Sequence, residues 1–224
     1  PTIDLGIPAG TGDTLGDVDY DPETGLIAVV LPQAGWVALA DIDTGRSLWT
    51  YQLAHMQVGD QAGPGRGFVA IGEQRVHVVG GEPLTATSLN TANGTVSNEQ
   101  ALSSGRNSAS RQSAYRLNTL YFDSSGGRLF HGASLIDPDT LEISRVLENV
   151  HKVFYADEEW VLAMDVNGEQ EYIIQLNPRS LEEENRWPIA LTEMIRTEAT
   201  FHPETHTVLV SDLPRAEVMA VPLP

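Results

Sequence analysis

Asp17, Asp19 and Asp21 stand at alternate positions, so in an extended strand their carboxylates share one face. Carboxylates grouped in this way suit the acid and base of a glycosidase. They also suit calcium, but that ion wants about six to eight oxygens, and no EF-type loop with its glycine surrounds these three. A second constellation is His202-Pro203-Glu204-Thr205-His206. Zinc chemistry of the H-E-x-x-H kind needs both imidazoles on one face of a helix. Pro203 between the two histidines, and strand-like flanks on either side, favour a turn instead.

A third set is cationic. Four stretches, 54–66, 103–114, 148–152 and 192–198, hold His55, Met56, Asp60, Arg66, Arg106, Arg111, His151, Lys152 and Arg196. The guanidinium fork can grip both oxygens of a carboxylate at once. His55, Met56 and His151 could instead ligate a metal, although they lie in different stretches. We take His55, Asp60, Arg66, Arg106, Arg111, His151, Lys152 and Arg196 as the candidate ligand-binding residues. We assign no catalytic residue, metal ligand or cofactor.

Other chemistries find no footing. The chain has no cysteine, hence no disulfide, zinc-thiolate site or thiol nucleophile. Neither a G-x-S-x-G elbow nor a P-loop occurs. Gly63-Pro64-Gly65-Arg66-Gly67 leads into a strand, not the helix a phosphate cradle needs. Asn93-Gly94-Thr95 is a glycosylation sequon only in a host that glycosylates. With 31 acidic and 13 basic residues the net charge is −18, which repels nucleic-acid phosphates and anionic membranes. No apolar run approaches the ~20 residues of a membrane span. Like-charge repulsion reaches about 30 Å at 0.01 M salt and about 8 Å at physiological strength. The melting temperature should therefore rise as salt is added over that range. A flat or falling curve at pH 7 would show the acidic groups to be locally paired already.

The elements that position these residues repeat. From Gly16 to Leu53 four short strand-like runs alternate with three turns. Asp17 to Asp21 alternates with period two; Leu26 to Val30 is a continuous apolar run; Trp36 to Ile42 and Arg46 to Leu53 follow. The turn after the third run, Asp41-Ile42-Asp43-Thr44-Gly45, returns at Asn90, Asp137 and Asn177, at spacings of 49, 47 and 40. An Asx opens each copy, and its side chain can bond backbone N–H groups two residues on. The turn after the first run, with Asp21, returns with Asp123, with Asp157 and with His202; in the second copy Ile71-Gly72-Glu73-Gln74 fills the slot. Glu182, Glu183 and Glu184 are expected to form a solvated turn.

Four antiparallel strands repeating at about 40–50 residues describe a β-propeller blade, which buries its faces only against neighbours. We expect an all-β, single-domain propeller over residues 1–224, with five four-stranded blades. Thr2 to Ile7 should pair with Val218 to Leu223, completing the last blade and closing the ring. Inner-strand carboxylates such as Asp17 would line the channel. The second inner strand, Gly67-Phe68-Val69-Ala70-Ile71, offers none, so a solvated strand outweighs a catalytic one. The four cationic stretches would join successive blades at one end, and the Asx turns would make the other end strongly negative.

Asp41-Ile42-Asp43-Thr44-Gly45-Arg46-Ser47-Leu48-Trp49 resembles the D-x-x-T-G-x-x-x-W signature of the PQQ-like and YVTN-type repeats of bacterial β-propellers. Only the first unit has the tryptophan in place. The resemblance implies a repeat propeller and, by analogy, an extracytoplasmic one, periplasmic or at the cell surface. It does not imply bound PQQ, whose proteins carry larger rings and vicinal cysteines. The expected function is a monomeric, non-enzymatic scaffold presenting loops to a protein or glycan ligand, acidic in character. The alternatives are a glycan-active enzyme using channel carboxylates and a periplasmic metal-binding propeller.

Overall fold

The computed structural model describes residues 3–8, 15–56, 67–81, 83–102, 120–167, 170–189, 197–212 and 217–224. The chain divides into two compact units, one of residues 1–105 with 136–144, the other of residues 106–135 with 145–224.

The first unit holds two four-stranded antiparallel sheets. One runs β1 (Asp17–Asp21), β2 (Leu26–Leu31), β3 (Trp36–Asp41), β4 (Arg46–Gln52) in that order. The other runs β5 (Gly67–Ile71), β6 (Arg75–Gly80), β7 (Thr85–Asn90), β8 (Val96–Ala101). The continuous apolar run of β2 is covered on both faces, with Ala28, Val29 and Val30 all buried. Ala28, Val30, Leu39 and Trp49 of the first sheet pack with Val69, Val76, Val78 and Leu89 of the second in one aliphatic core.

The Asx turns form as the repeat predicts. Asp41 Oδ1 accepts the N–H of Thr44 at 2.9 Å, and Asn90 Oδ1 that of Ala92 at 2.8 Å. The chain then leaves through a left-handed glycine, Gly45 or Gly94. In the first two copies a side chain eight residues beyond the opening Asx ties its sheet to the turn of the next copy. Trp49 Nε1 donates to the carbonyl of Thr91 at 2.8 Å, and Asn98 Nδ2 to that of Asp139 at 2.9 Å. Arg75 Nη1 adds a bond to the carbonyl of Pro138 and an ion pair with Asp139, both at 2.8 Å. These bonds explain why the turn at residues 136–144 groups with the first unit.

A third sheet has the order β12 (Ile143–Val146), β11 (Ser134–Ile136), β10 (Arg128–His131), β9 (Leu120–Asp123). The second unit continues with the sheet β13 (Lys152–Ala156), β14 (Val161–Asn167), β15 (Gln170–Leu176), β16 (Glu183–Ile189). It ends with β17 (Thr197–His202), β18 (Thr207–Asp212), β19 (Glu217–Pro222), a three-stranded sheet among the described residues. Its turns repeat the pattern: Asn177 Oδ1 accepts from Arg179 and Ser180, both at 2.9 Å, and Asp157 Oδ1 from Glu159 and Trp160. The tie eight residues past the Asx recurs in Arg145, whose Nη1 donates to the carbonyl of Ser180 at 2.6 Å.

Asp4 makes a parallel bridge to Arg46, at the start of β4, within the first unit. Asp4 Oδ1 accepts the N–H of Gly6 at 2.9 Å, and Gly6 adopts φ +66°. The pairing of Thr2 to Ile7 with Val218 to Leu223 expected from the sequence is not shown among the described residues.

Candidate functional site

The inner-strand aspartates are the carboxylates on which a catalytic role would rest. Asp17 Oδ2 accepts the backbone N–H of Val69 at 3.0 Å, and Asp19 Oδ2 that of Ile71 at 2.7 Å. Both acceptor bonds run from β1 to β5, the equivalent strand of the next sheet. Strand alternation aims the two side chains the same way, and the two N–H groups they meet are likewise two residues apart. Burial pushes the Asp19 carboxyl above its ordinary range, against the opposing pull of the Ile71 N–H. Asp19→Ala would strand the N–H of Ile71, a buried residue, and should cost about 1–3 kcal/mol. Asp19→Asn keeps an acceptor and sheds the charge that burial disfavours, so it should be neutral or stabilising at pH 7. Urea unfolding of both variants decides; asparagine as damaging as alanine would mean that charge, not the hydrogen bond, holds β5.

Of the candidate ligand-binding residues, Asp60, Arg66, Arg106, Arg111 and Arg196 lie outside the described residues. His55 sits in a short 3-10 turn, Ala54–Met56, with Nδ1 3.3 Å from Glu99 Oε2. Its Nε2 is buried without a hydrogen-bond partner among the described residues. His55 also closes over Gly81, where a Cβ would come within 2.6 Å of the His55 carbonyl oxygen. Met56 is fully buried in the same core. Lys152 opens β13 and is buried, at 1% exposure, and is not displayed on a loop. Beside it His151 is half-buried; burial, then the Lys152 charge, lowers its pKa against the pull of Asp165. Among the described residues no three histidine or carboxylate side chains gather into a metal-ligand set. His202 and His206 bracket a 3-10 turn, Pro203–Thr205, with His206 in the left-handed region at φ 48°. No helix presents their rings on one face.

The sequence reading missed a group of arginines among the Asx turns. In the second unit a cleft of about 540 Å³ is lined by Ser125, Arg128, Arg145, Glu158, Arg179 and Leu181, with others. Arg128 is fully engaged: Nε donates to Asp123 Oδ2 at 2.7 Å, Nη1 to the Pro178 carbonyl, and Nη2 to the Asp157 carbonyl at 3.3 Å. Arg145 spends one N–H on Ser180, and Arg179 is exposed. With Arg75 holding the equivalent place in the first unit, the turns are not uniformly acidic. The signal was present: Arg75 and Arg128 both open a second strand, and Asp137-Pro138 and Asn177-Pro178 both put a proline carbonyl in their reach.

No family model and no curated protein matches this sequence. Solved structures do resemble the fold. Kuenenia stuttgartiensis hydrazine synthase aligns at TM-score 0.58 and 11% identity, over 91% of this chain and 58% of that one. The Dos1 propeller aligns at TM-score 0.56 and 9% identity, over 95% of this chain and 58% of that one. A functionally unknown protein from Desulfotomaculum acetoxidans DSM 771 aligns at TM-score 0.60 and 11% identity, over 94% of this chain and 69% of that one. At such identities the likeness is one of fold, and the fold is that of a β-propeller. The chain spans little more than half the length of the first two of these structures.

Proposed function

We propose that this chain is a non-enzymatic binding propeller of five blades, built on repeats of the YVTN or PQQ-like kind and working outside the cytoplasm. Its ligand is a protein or glycan bearing acidic groups, met by the connecting loops that carry His55, Asp60, Arg66, Arg106, Arg111, His151 and Arg196. One observation carries the choice of binding over catalysis. Asp17 and Asp19, the carboxylates a glycan-active enzyme would employ, each accept a backbone N–H of β5. A carboxylate that holds the neighbouring strand in this way cannot turn toward a substrate without releasing that N–H. The strands between the loops form a framework with regular hydrogen bonding, the setting in which long polar loops bind ligands.

The test is capture on an array of acidic and neutral glycans and peptides, comparing wild type with Arg106→Glu/Arg111→Glu. Acid-bearing members should be retained by wild type and lost from the double variant. Equal retention of neutral members, or no effect of the reversal, would remove the loop arginines from the reading.

A further inference from the structure

We infer that the turn end of the junction between the fourth and fifth sheets binds a guanidinium group, carried by an arginine of a partner polypeptide. The molecule holds its own template for such a site. At each of the three preceding junctions a side chain of one sheet donates to the same carbonyl of the next copy's turn: Trp49 to Thr91, Arg75 to Pro138 and Arg128 to Pro178. Twice the donor is a guanidinium. Leu223 holds the corresponding place after β19. Its N–H meets the His206 carbonyl at 2.7 Å, as the N–H of Ile42 meets Gly25 and that of Thr91 meets Gln74. The Leu223 carbonyl, however, receives no donor among the described residues.

The two side chains that stand where a donor would arise do not supply one. Asn185, eight residues past Asn177, bonds Gln175 Oε1 of its own sheet at 2.9 Å. Trp160 stands where the arginine stands in the earlier copies: Asp157 N–H donates to its carbonyl at 2.7 Å, as Gly72 N–H does to that of Arg75. Its ring centroid lies 5.4 Å from that of Phe201 and 5.2 Å from that of His206, the residue that holds Leu223. The indole N–H has no partner among the described residues. An unmet carbonyl near a half-buried tryptophan suits a planar cation that donates at its edge and stacks on its face. Charge agrees with this occupant without selecting it. Glu159 and Glu204, on the turns that carry Trp160 and His206, are exposed and have no ion-pair partner among the described residues. Asp157 adds its charge, although its oxygens already accept from Tyr155, Glu159 and Trp160. Arg179 lines the cleft toward the third sheet, with Arg128 and Arg145. These carboxylates alone would take lysine as readily as arginine. The indole separates them, because a guanidinium is flat, weakly hydrated and stacks, whereas an ammonium is compact and strongly hydrated.

The experiment titrates capped hexaarginine and capped hexalysine into the full chain by calorimetry at about 0.15 M salt, where the field of a chain at −18 fades beyond about 8 Å. Wild type should bind hexaarginine about fivefold more tightly than hexalysine. Trp160→Leu should abolish that preference and leave hexalysine binding unchanged, its melting curve confirming the fold. Glu204→Gln alters an exposed side chain and should weaken hexaarginine about twofold. Glu73→Gln removes the same charge from the equivalent turn of the second sheet and should change nothing. Equal binding of the two peptides by wild type, a preference that survives in Trp160→Leu, or equal losses in Glu73→Gln and Glu204→Gln would each overturn the proposal.

Discussion

Replacing Gly94 by alanine should lower the unfolding free energy by about 2–5 kcal/mol, the sum of a left-handed backbone penalty and an overpacking term. Gly94 sits at φ +69°, and a Cβ there would stand 2.7 Å from Trp49 Cδ2 and 2.9 Å from Cε3. Those atoms belong to a rigid indole at 9% exposure, whose Nε1 is committed to the Thr91 carbonyl. The ring cannot yield without giving up that bond and its packing. Gly127 supplies the control: at φ +59° with nothing within 4 Å of a Cβ, its alanine variant should lose only the backbone penalty of about 1–2 kcal/mol. In a Trp49→Leu background the steric part of the Gly94→Ala loss should shrink, as a double-mutant cycle would measure. Equal losses at Gly94 and Gly127 would show that the indole does not seal this turn.

Acid should destabilise the fold well before its carboxylates titrate. His77 lies at 2% exposure with Nδ1 2.9 Å from Ser88 Oγ, and burial, with Arg75 nearby, lowers its pKa to about 4. His131, at 7% exposure, is lowered by burial to about 4 as well. Both stay neutral in the folded chain while the unfolded chain takes up their protons from about pH 6.5 downward. The unfolded state thus binds more protons between pH 6.5 and 4, and stability falls as pH falls through that window. Each histidine contributes on the order of 3 kcal/mol to the drop. His151 acts in the same direction. Asp19, with its raised folded pKa, opposes them by holding its proton more readily when folded. The shrinking negative charge opposes them too, so the titration belongs at about 0.5 M salt, where that repulsion is screened. Urea unfolding from pH 7 to 4.5 should show a falling curve. His77→Asn and His131→Asn should each flatten its slope, whatever they cost at pH 7. A stability flat across this range would contradict the burial of the neutral rings.

The strands and turns were legible because their signals are local. An Asx side chain caps its own turn, so Asp41, Asn90, Asp137 and Asn177 mark the same place without reference to the rest of the chain. Even the departures from glycine are physical: Leu141 and Leu181 take φ 60° and 56° where Gly45 and Gly94 stand in other copies, and both leucine side chains are buried in exchange. What the sequence hid was side-chain reach between copies. Trp49 reads as a repeat mark, yet its role is a bond to the turn of the next sheet. Asp17 and Asp19 read as a solvated face and are instead backbone acceptors. Lys152 follows a polar loop and reads as displayed, but its β13 slot is buried. Arg145 and Arg179 read as ordinary strand and turn residues, because only the folded chain sets them beside one cleft.

We propose that this propeller binds an acid-bearing ligand without transforming it, its inner carboxylates being structural. The most direct measurement is mass spectrometry of acidic and neutral glycans and peptides after long incubation with wild type and with Asp17→Asn. The retained members should be acidic and should be recovered intact from both proteins. Cleaved products from wild type, abolished in Asp17→Asn while its melting temperature is unchanged, would contradict this proposal.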